Sequence, residues 1–278
     1  WANCVHNPNR IPHKTSEALR FGKAVHSFIL ERDLSPEEFS ICNFKDWQSN
    51  EGKLKTWEEL IEKVGVLGDI ETKIKKCKGW IDDNGNKYPS YLAYKKLWKA
   101  FADWSGHTIV TEKDIAVFRD MALALHEDPM IRGGLLDGAV EKTIAWQDPE
   151  TGLWIKIRPD VVPSDKVLVD YKSQRESAPE AISRALGDYG YHMQLALGME
   201  GISRVMSRVI DSAVLVAQEK EEPYVHQVAA ITSDSLYWGA RQNRKAMQLV
   251  AEGVRTGEWI GYHDGPAKVG LSDYMLKK

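Results

Sequence analysis

Apolar positions in the first quarter of the chain recur at helical spacing. Leu19, Phe21, Gly22, Val25, Phe28 and Ile29 follow Thr15-Ser16-Glu17, which predicts a helix capped by Ser16 and running to about Glu31. Residues 1–14 lack periodicity and read as an extended lead-in. Residues 44–132 are mostly polar with a 3.6-residue rhythm, clearest in Trp57 to Ile61, Tyr91 to Trp104 and Glu112 to His126. Asp82-Asp83-Asn84-Gly85-Asn86 supplies a turn, and 44–132 is expected to be a helical insertion. The pattern then changes period. Glu141 to Trp146 and Leu153 to Val161 alternate around Asp148-Pro149-Glu150-Thr151-Gly152, the chemistry of a hairpin. Lys166 to Lys172 is a third strand, Pro179 to Met199 a helix, Ser212 to Gln218 and Tyr224 to Thr232 two strands, and Ser233 to Glu252 a closing helix. This order predicts an α/β fold, a central mixed β-sheet flanked by helices, as one domain across 1–278.

Composition narrows this little. The chain has 278 residues, 43% of them hydrophobic, enough for a large core, and a net charge of −3 that does not mark a nucleic-acid binder. Any DNA contact would need local clusters such as Lys73, Lys75, Lys76 and Lys78, or Lys95, Lys96 and Lys99, although solvated helix faces have the same look. Trp47, Trp57 and Trp104 are candidates to stack an unpaired base, and core packing is the competing role. Cys4, Cys42 and Cys77 are too scattered for a disulfide framework or a zinc site and suit a reducing cytoplasm. No run of about 18 apolar residues spans a membrane.

The chemistry concentrates in Arg158-Pro159-Asp160 and Val167-Leu168-Val169-Asp170-Tyr171-Lys172. On a strand, Asp170 and Lys172 share a face and Tyr171 points away, while Asp160 ends the neighbouring strand. Two carboxylates placed together repel unless a cation lies between them, and Mg²⁺ takes one or two carboxylates while keeping its waters. A solvated Asp-x-Lys pair worth ~0–1 kcal/mol is the plain alternative. The apolar run ahead of Asp170 argues against it, because charges emerging from a buried strand are rare.

Five short motifs in order resemble the exonuclease VIII-type (RecE-like) branch of the PD-(D/E)XK nucleases, within the wider group sharing the nuclease domain of the RecB helicase-nuclease. They are Gly22/His26, Glu141, Arg158/Asp160, Asp170/Lys172 and Gln194, and Gly257 to Tyr262 resembles that branch's tail. The resemblance implies a restriction-endonuclease-like core. It implies Asp160, Asp170, His26 and the Tyr171 carbonyl as metal ligands, Lys172 as a catalytic group, and Glu141 at a second metal or bridging water. It also implies DNA contacts from Gln194, Tyr191 and Arg158. Gln194 belongs to the family's Gln-x-x-x-Tyr motif, from which this chain departs with Gly198; Tyr191, one turn earlier, is the candidate replacement. Related nucleases with an iron–sulphur cluster use four cysteines, so no cluster is expected here.

The resemblance therefore implies a Mg²⁺-dependent exonuclease, with Mn²⁺ able to substitute, that degrades linear duplex DNA, 5′ to 3′, in recombination or phage DNA processing. Implied partners are double-stranded DNA ends, a single-strand annealing protein and further copies of the chain in a ring. An endonuclease of the same superfamily and an inactive DNA-end binding module remain the alternatives.

Overall fold

The computed structural model describes residues 16–35, 38–42, 79–81, 87–89, 108–163, 166–259 and 270. The helices expected at 57–61 and 91–104, both lysine clusters, and Trp47, Trp57 and Trp104 lie outside these residues.

Helix α1 (Glu17–His26) starts where the Ser16 hydroxyl accepts the Leu19 N–H at 3.2 Å. It continues as a π-helical turn (Ser27–Glu31) that ends at Arg32 in the left-handed region, φ 58°. The expected helix thus reaches Glu31, with a change of winding after His26. Strands β1 (Phe39–Cys42), β2 (Gly79–Ile81), β3 (Lys87–Pro89) and β4 (Thr108–Thr111) follow. β1 pairs in parallel with β4, and β2 with β3 as an antiparallel pair; the turn expected at 82–86 lies outside the described residues.

Helix α2 (Glu112–His126) opens with a reciprocal capping box between Thr111 and Asp114, and a short helix α3 (Pro129–Arg132) follows. The described part of 44–132 therefore contains three short strands as well as two helices, where a helical insertion was expected. The β-branched run Thr108 to Thr111 favours extended backbone. Phe118 and Met121 of α2 pack with Ala24 and Val25 of α1, so this helix belongs to the body of the fold.

The remaining elements are β5 (Gly138–Val140), β6 (Ile144–Gln147), β7 (Trp154–Ile157), β8 (Val161–Pro163), β9 (Val167–Gln174), α4 (Pro179–Asp188), α5 (Tyr191–Met206), β10 (Ser212–Glu219), β11 (His226–Ala230) and α6 (Ser233–Thr256). Five strands form one mixed sheet in the order β11-β10-β9-β8-β5, in which only β9 and β10 run parallel. β6 and β7 make a separate hairpin. One face of β9 and β10 carries Leu168, Ala213, Leu215 and Ala217 beneath Ile182, Leu195 and Ile202 of α4 and α5. The other carries Val169, Tyr171, Val214 and Val216 against Leu30 and Leu125. The chain is thus an α/β protein with a restriction-endonuclease-like core, a mixed sheet between helical layers.

Three departures from the sequence reading concern the site. The strand expected from Leu153 to Val161 is broken at Arg158-Pro159-Asp160 into β7 and β8. Proline has no N–H for a ladder, so pairing lapses there. The helix expected over 179–199 is two helices separated at Gly190, φ 69°. Glu141 does not open a strand; it occupies the bend between β5 and β6 with φ 55°. Among the described residues no helix is long and apolar enough to cross a membrane.

Candidate active site

The break between β7 and β8 creates the site. β8 meets β9 at a single pair, Val161 with Val169. Beyond it the two strands separate, and the Tyr171 N–H, which a continuous ladder would pair, faces the gap. The Asp160 carboxylate fills that role: its Oδ2 accepts the Tyr171 N–H at 2.8 Å. On the other side, the Glu141 N–H donates to the Asp160 carbonyl at 3.1 Å and ties the bend after β5 to the same residue. Because the N–H and C=O of one strand residue point to the same edge, the Tyr171 carbonyl also faces this fork. The Tyr171 ring leaves on the opposite face, where its hydroxyl donates to Gln218 at 2.8 Å.

His26, at the end of α1, closes the fork from above. Its Nε2 lies 3.0 Å from Asp160 Oδ2 and its Nδ1 3.2 Å from Glu141 Oε1. Glu141 also pairs with the Arg158 guanidinium at 2.5 Å, and Arg158 Nε donates to the Glu141 carbonyl at 3.1 Å. From β9, Lys172 Nζ stands 2.7 Å from Asp170 Oδ2 and 3.7 Å from Asp160 Oδ2. Gln194 of α5 donates to Asp170 Oδ1 at 2.8 Å. The Lys172 ammonium also sits over the Tyr191 ring, 5.6 Å from its centroid. The residues that the motif resemblance singled out, His26, Glu141, Arg158, Asp160, Asp170, Tyr171, Lys172, Tyr191 and Gln194, therefore lie in one connected cluster, drawn from α1, the β5–β6 bend, the β7–β8 break, β9 and α5.

The electrostatics follow from burying opposite charges together. Asp170 is only 3% exposed; burial, then the neighbouring Asp160 charge, pushes its carboxyl up to about 7 despite Lys172. Burial acts on Asp160 in the same sense, but His26, Lys172 and the Tyr171 N–H outweigh it and hold it below the usual carboxylate range. Burial disfavours the His26 imidazolium, yet Asp160 and Glu141 raise its pKa above the ordinary histidine value. The same balance holds for Lys172, where Asp170 and Asp160 overcome burial and raise the ammonium's pKa. Glu141 is raised by burial.

This donor set fits a divalent cation. One nitrogen of His26 and one oxygen each of Glu141 and Asp160 lie within 4.8 Å of one another. Asp170 Oδ2 is buried with the Lys172 ammonium beside it at 2.7 Å. An imidazole with hard carboxylate oxygens, and an acidic pair that repels when empty, is what such an ion neutralises. His26, Glu141 and Asp160 form this tightest group, and Asp170 adjoins it across Lys172, which contacts both aspartates.

Gly198 has a physical reason. A Cβ there would lie 2.8 Å from Leu168 Cδ2, so the tyrosine of the family pattern would require that buried methyl to shift. Two residues escaped the sequence reading. Gln218 is fully buried and spans from the Tyr171 hydroxyl to the carbonyls of Met121 and Tyr224; its signal was a lone polar residue closing the apolar run Ala213 to Ala217. Tyr189 stands beside Tyr191, and its signal was the Tyr-Gly-Tyr spelling around the helix break.

Comparison with known proteins agrees with this geometry. Residues 4–264 match the PDDEXK-like domain of unknown function (DUF3799), and the chain belongs to that family, within the PD-(D/E)XK class of nuclease domains. A crystal structure from Eubacterium rectale, described as a candidate exonuclease, is similar in outline at 12% identity and a TM-score of 0.47, covering 96% of this chain and 81% of that one. No curated protein matches the chain.

Proposed function

We propose that the protein is a Mg²⁺-dependent exodeoxyribonuclease that hydrolyses phosphodiester bonds of linear duplex DNA from its ends, in the 5′-to-3′ direction. The observation that carries the nuclease chemistry is the convergence of His26, Glu141, Asp160, Asp170 and Lys172 at one fork in the sheet. His26, Asp160, Asp170 and the Tyr171 carbonyl would hold the cation, with Glu141 at a second ion or a bridging water. A bound cation supplies polarisation of the phosphoryl oxygen and a water of lowered pKa. Lys172 stays protonated at neutral pH, because the flanking carboxylates raise its pKa, so it serves as a donor and not a base. Its ammonium steadies the attacking water and the charge gathering on the phosphate. Asp160 fixes the geometry through the Tyr171 N–H, and Gln194 holds Asp170 in its rotamer.

The exonuclease reading, the polarity, the role in recombination or phage DNA processing, a single-strand annealing partner and a ring of identical chains all rest on the motif resemblance. An endonuclease is the competing activity. Linear duplex and covalently closed circular duplex incubated with Mg²⁺ separate the two. Loss of the linear form alone, abolished by chelation and by Asp160→Ala or Lys172→Ala, is the expected result. Cutting of the circle would make it an endonuclease. Equal degradation by the variants would refute the assigned centre, and no degradation by the wild type would leave a DNA-end binding module.

A further inference from the structure

We infer that Tyr189 and Tyr191 form a stacking ledge for an unpaired base, so that the site takes its DNA as a frayed, single-stranded end. The inference rests on the nuclease reading of the site and specifies the form of its substrate. Tyr189 closes α4 and Tyr191 opens α5, with Gly190 between them in the left-handed region at φ 69°. That turn brings the two rings to 5.5 Å between centroids with 36° between their planes. The inner ring already touches the catalytic cluster, with Lys172 Nζ 5.6 Å from its centroid. The outer ring is 73% exposed, with the Tyr191 ring as its aromatic neighbour.

The spacing suits a nucleotide. Lys172, the cation that would meet a phosphate, lies 5.6 Å from the Tyr191 centroid, within the reach of one nucleotide. A phosphate held at Lys172 therefore brings its own or the adjoining base to the exposed Tyr189 ring, which Tyr191 backs. A base inside a duplex has both faces covered by its neighbours and cannot lie on a protein ring. Stacking on Tyr189 requires that base to leave the helix, and aromatic stacking tolerates any base because each offers a π-face. The ledge thus favours ends that are already open, without reading sequence.

The test is equilibrium binding without divalent cation, so that cleavage plays no part. Fluorescence anisotropy would compare a blunt DNA hairpin with the same hairpin carrying three mismatched terminal pairs. The wild type should prefer the open end by roughly tenfold. Tyr189→Ala should abolish the preference and Tyr189→Phe should keep it; the exposure of Tyr189 makes both variants safe for folding. An equal affinity for both hairpins, a preference that survives Tyr189→Ala, or no DNA binding overturns the ledge. If the preference depends on Tyr189 but Mg²⁺ induces no hydrolysis, the ledge stands and the nuclease reading falls. If hydrolysis occurs without the preference, the reverse holds.

Discussion

Cation binding at the fork should expel protons, and the number can be worked out from the geometry. The two ring nitrogens of His26 face Asp160 and Glu141 at 3.0 and 3.2 Å, and only an imidazolium can donate to both carboxylates at once. The raised His26 pKa says the same. A cation needs one of those lone pairs, so it competes with a proton. Asp170, with its carboxyl near 7, competes through a second. Both groups hold the proton more tightly in the empty site than in solution, so affinity should rise with pH and level off above both pKa values. Each proton expelled contributes up to tenfold per pH unit, about 1.4 kcal/mol. Asp170 alone then gives roughly tenfold between pH 6 and pH 8, and His26 makes the rise steeper. Calorimetric titration with Mn²⁺ in two buffers of different ionisation enthalpy counts the protons directly. His26→Gln should bind more weakly overall and release one proton fewer below neutrality. Equal proton release by wild type and His26→Gln, or an affinity independent of pH, would show that the imidazole is not displaced and that the ligand set is wrong.

Two further outcomes test the frame around the site. Asp148, fully buried, ties the β6–β7 turn to α6 by accepting from Arg244 at 2.7 Å and from the Thr151 hydroxyl at 2.7 Å; Arg244 first, opposed by burial, lowers its carboxyl to about 2. Asp148→Ala should cost ~2–4 kcal/mol in urea denaturation at pH 7, a deficit that shrinks as acid takes the wild type from pH 4 towards 2 and protonates the same group. Gly198→Tyr should destabilise by ~2–3 kcal/mol in thermal melts, and adding Leu168→Ala should recover part of it, because Leu168 Cδ2 is the atom within 4 Å of the added Cβ.

The α/β class and the mixed sheet were legible in the alternation of the strands and the helical spacing between them. Asp170, Tyr171 and Lys172 were legible because strand alternation is strict, and Tyr171 does turn to the opposite face to meet Gln218. The nearness of His26, Glu141 and Gln194 to that strand was legible only through the order of short motifs, since each is set by tertiary packing. The breaks were not legible. Leu153 to Val161 alternates through Pro159, which marks a lapse in pairing but not that the chain leaves one hairpin there and joins another sheet. Gly190 sits inside a continuous helical pattern, and a lone glycine is often tolerated in a helix. The strand at Thr108 to Thr111 was hidden by the amphipathic helix beside it, although its β-branched run carried the signal. Gly198 read as a departure from a motif, whereas a side chain there would meet the Leu168 methyl of β9, a tertiary contact that the local pattern does not encode.

The hydrogen bond from the Tyr171 N–H to Asp160 bears on how this position can drift in evolution. An intact sheet offers no aperture for a phosphate; this one has a dislocation, and a side chain takes the place of the missing backbone partner. Alanine at 160 would remove a charge and also strand a buried amide, at ~1–3 kcal/mol. Glutamate keeps the charge but, one methylene longer, moves the acceptor out of register with the gap. Asparagine keeps the acceptor and loses the charge. Descendants that abandon catalysis while keeping the fold should therefore carry asparagine at this position more often than alanine or glutamate.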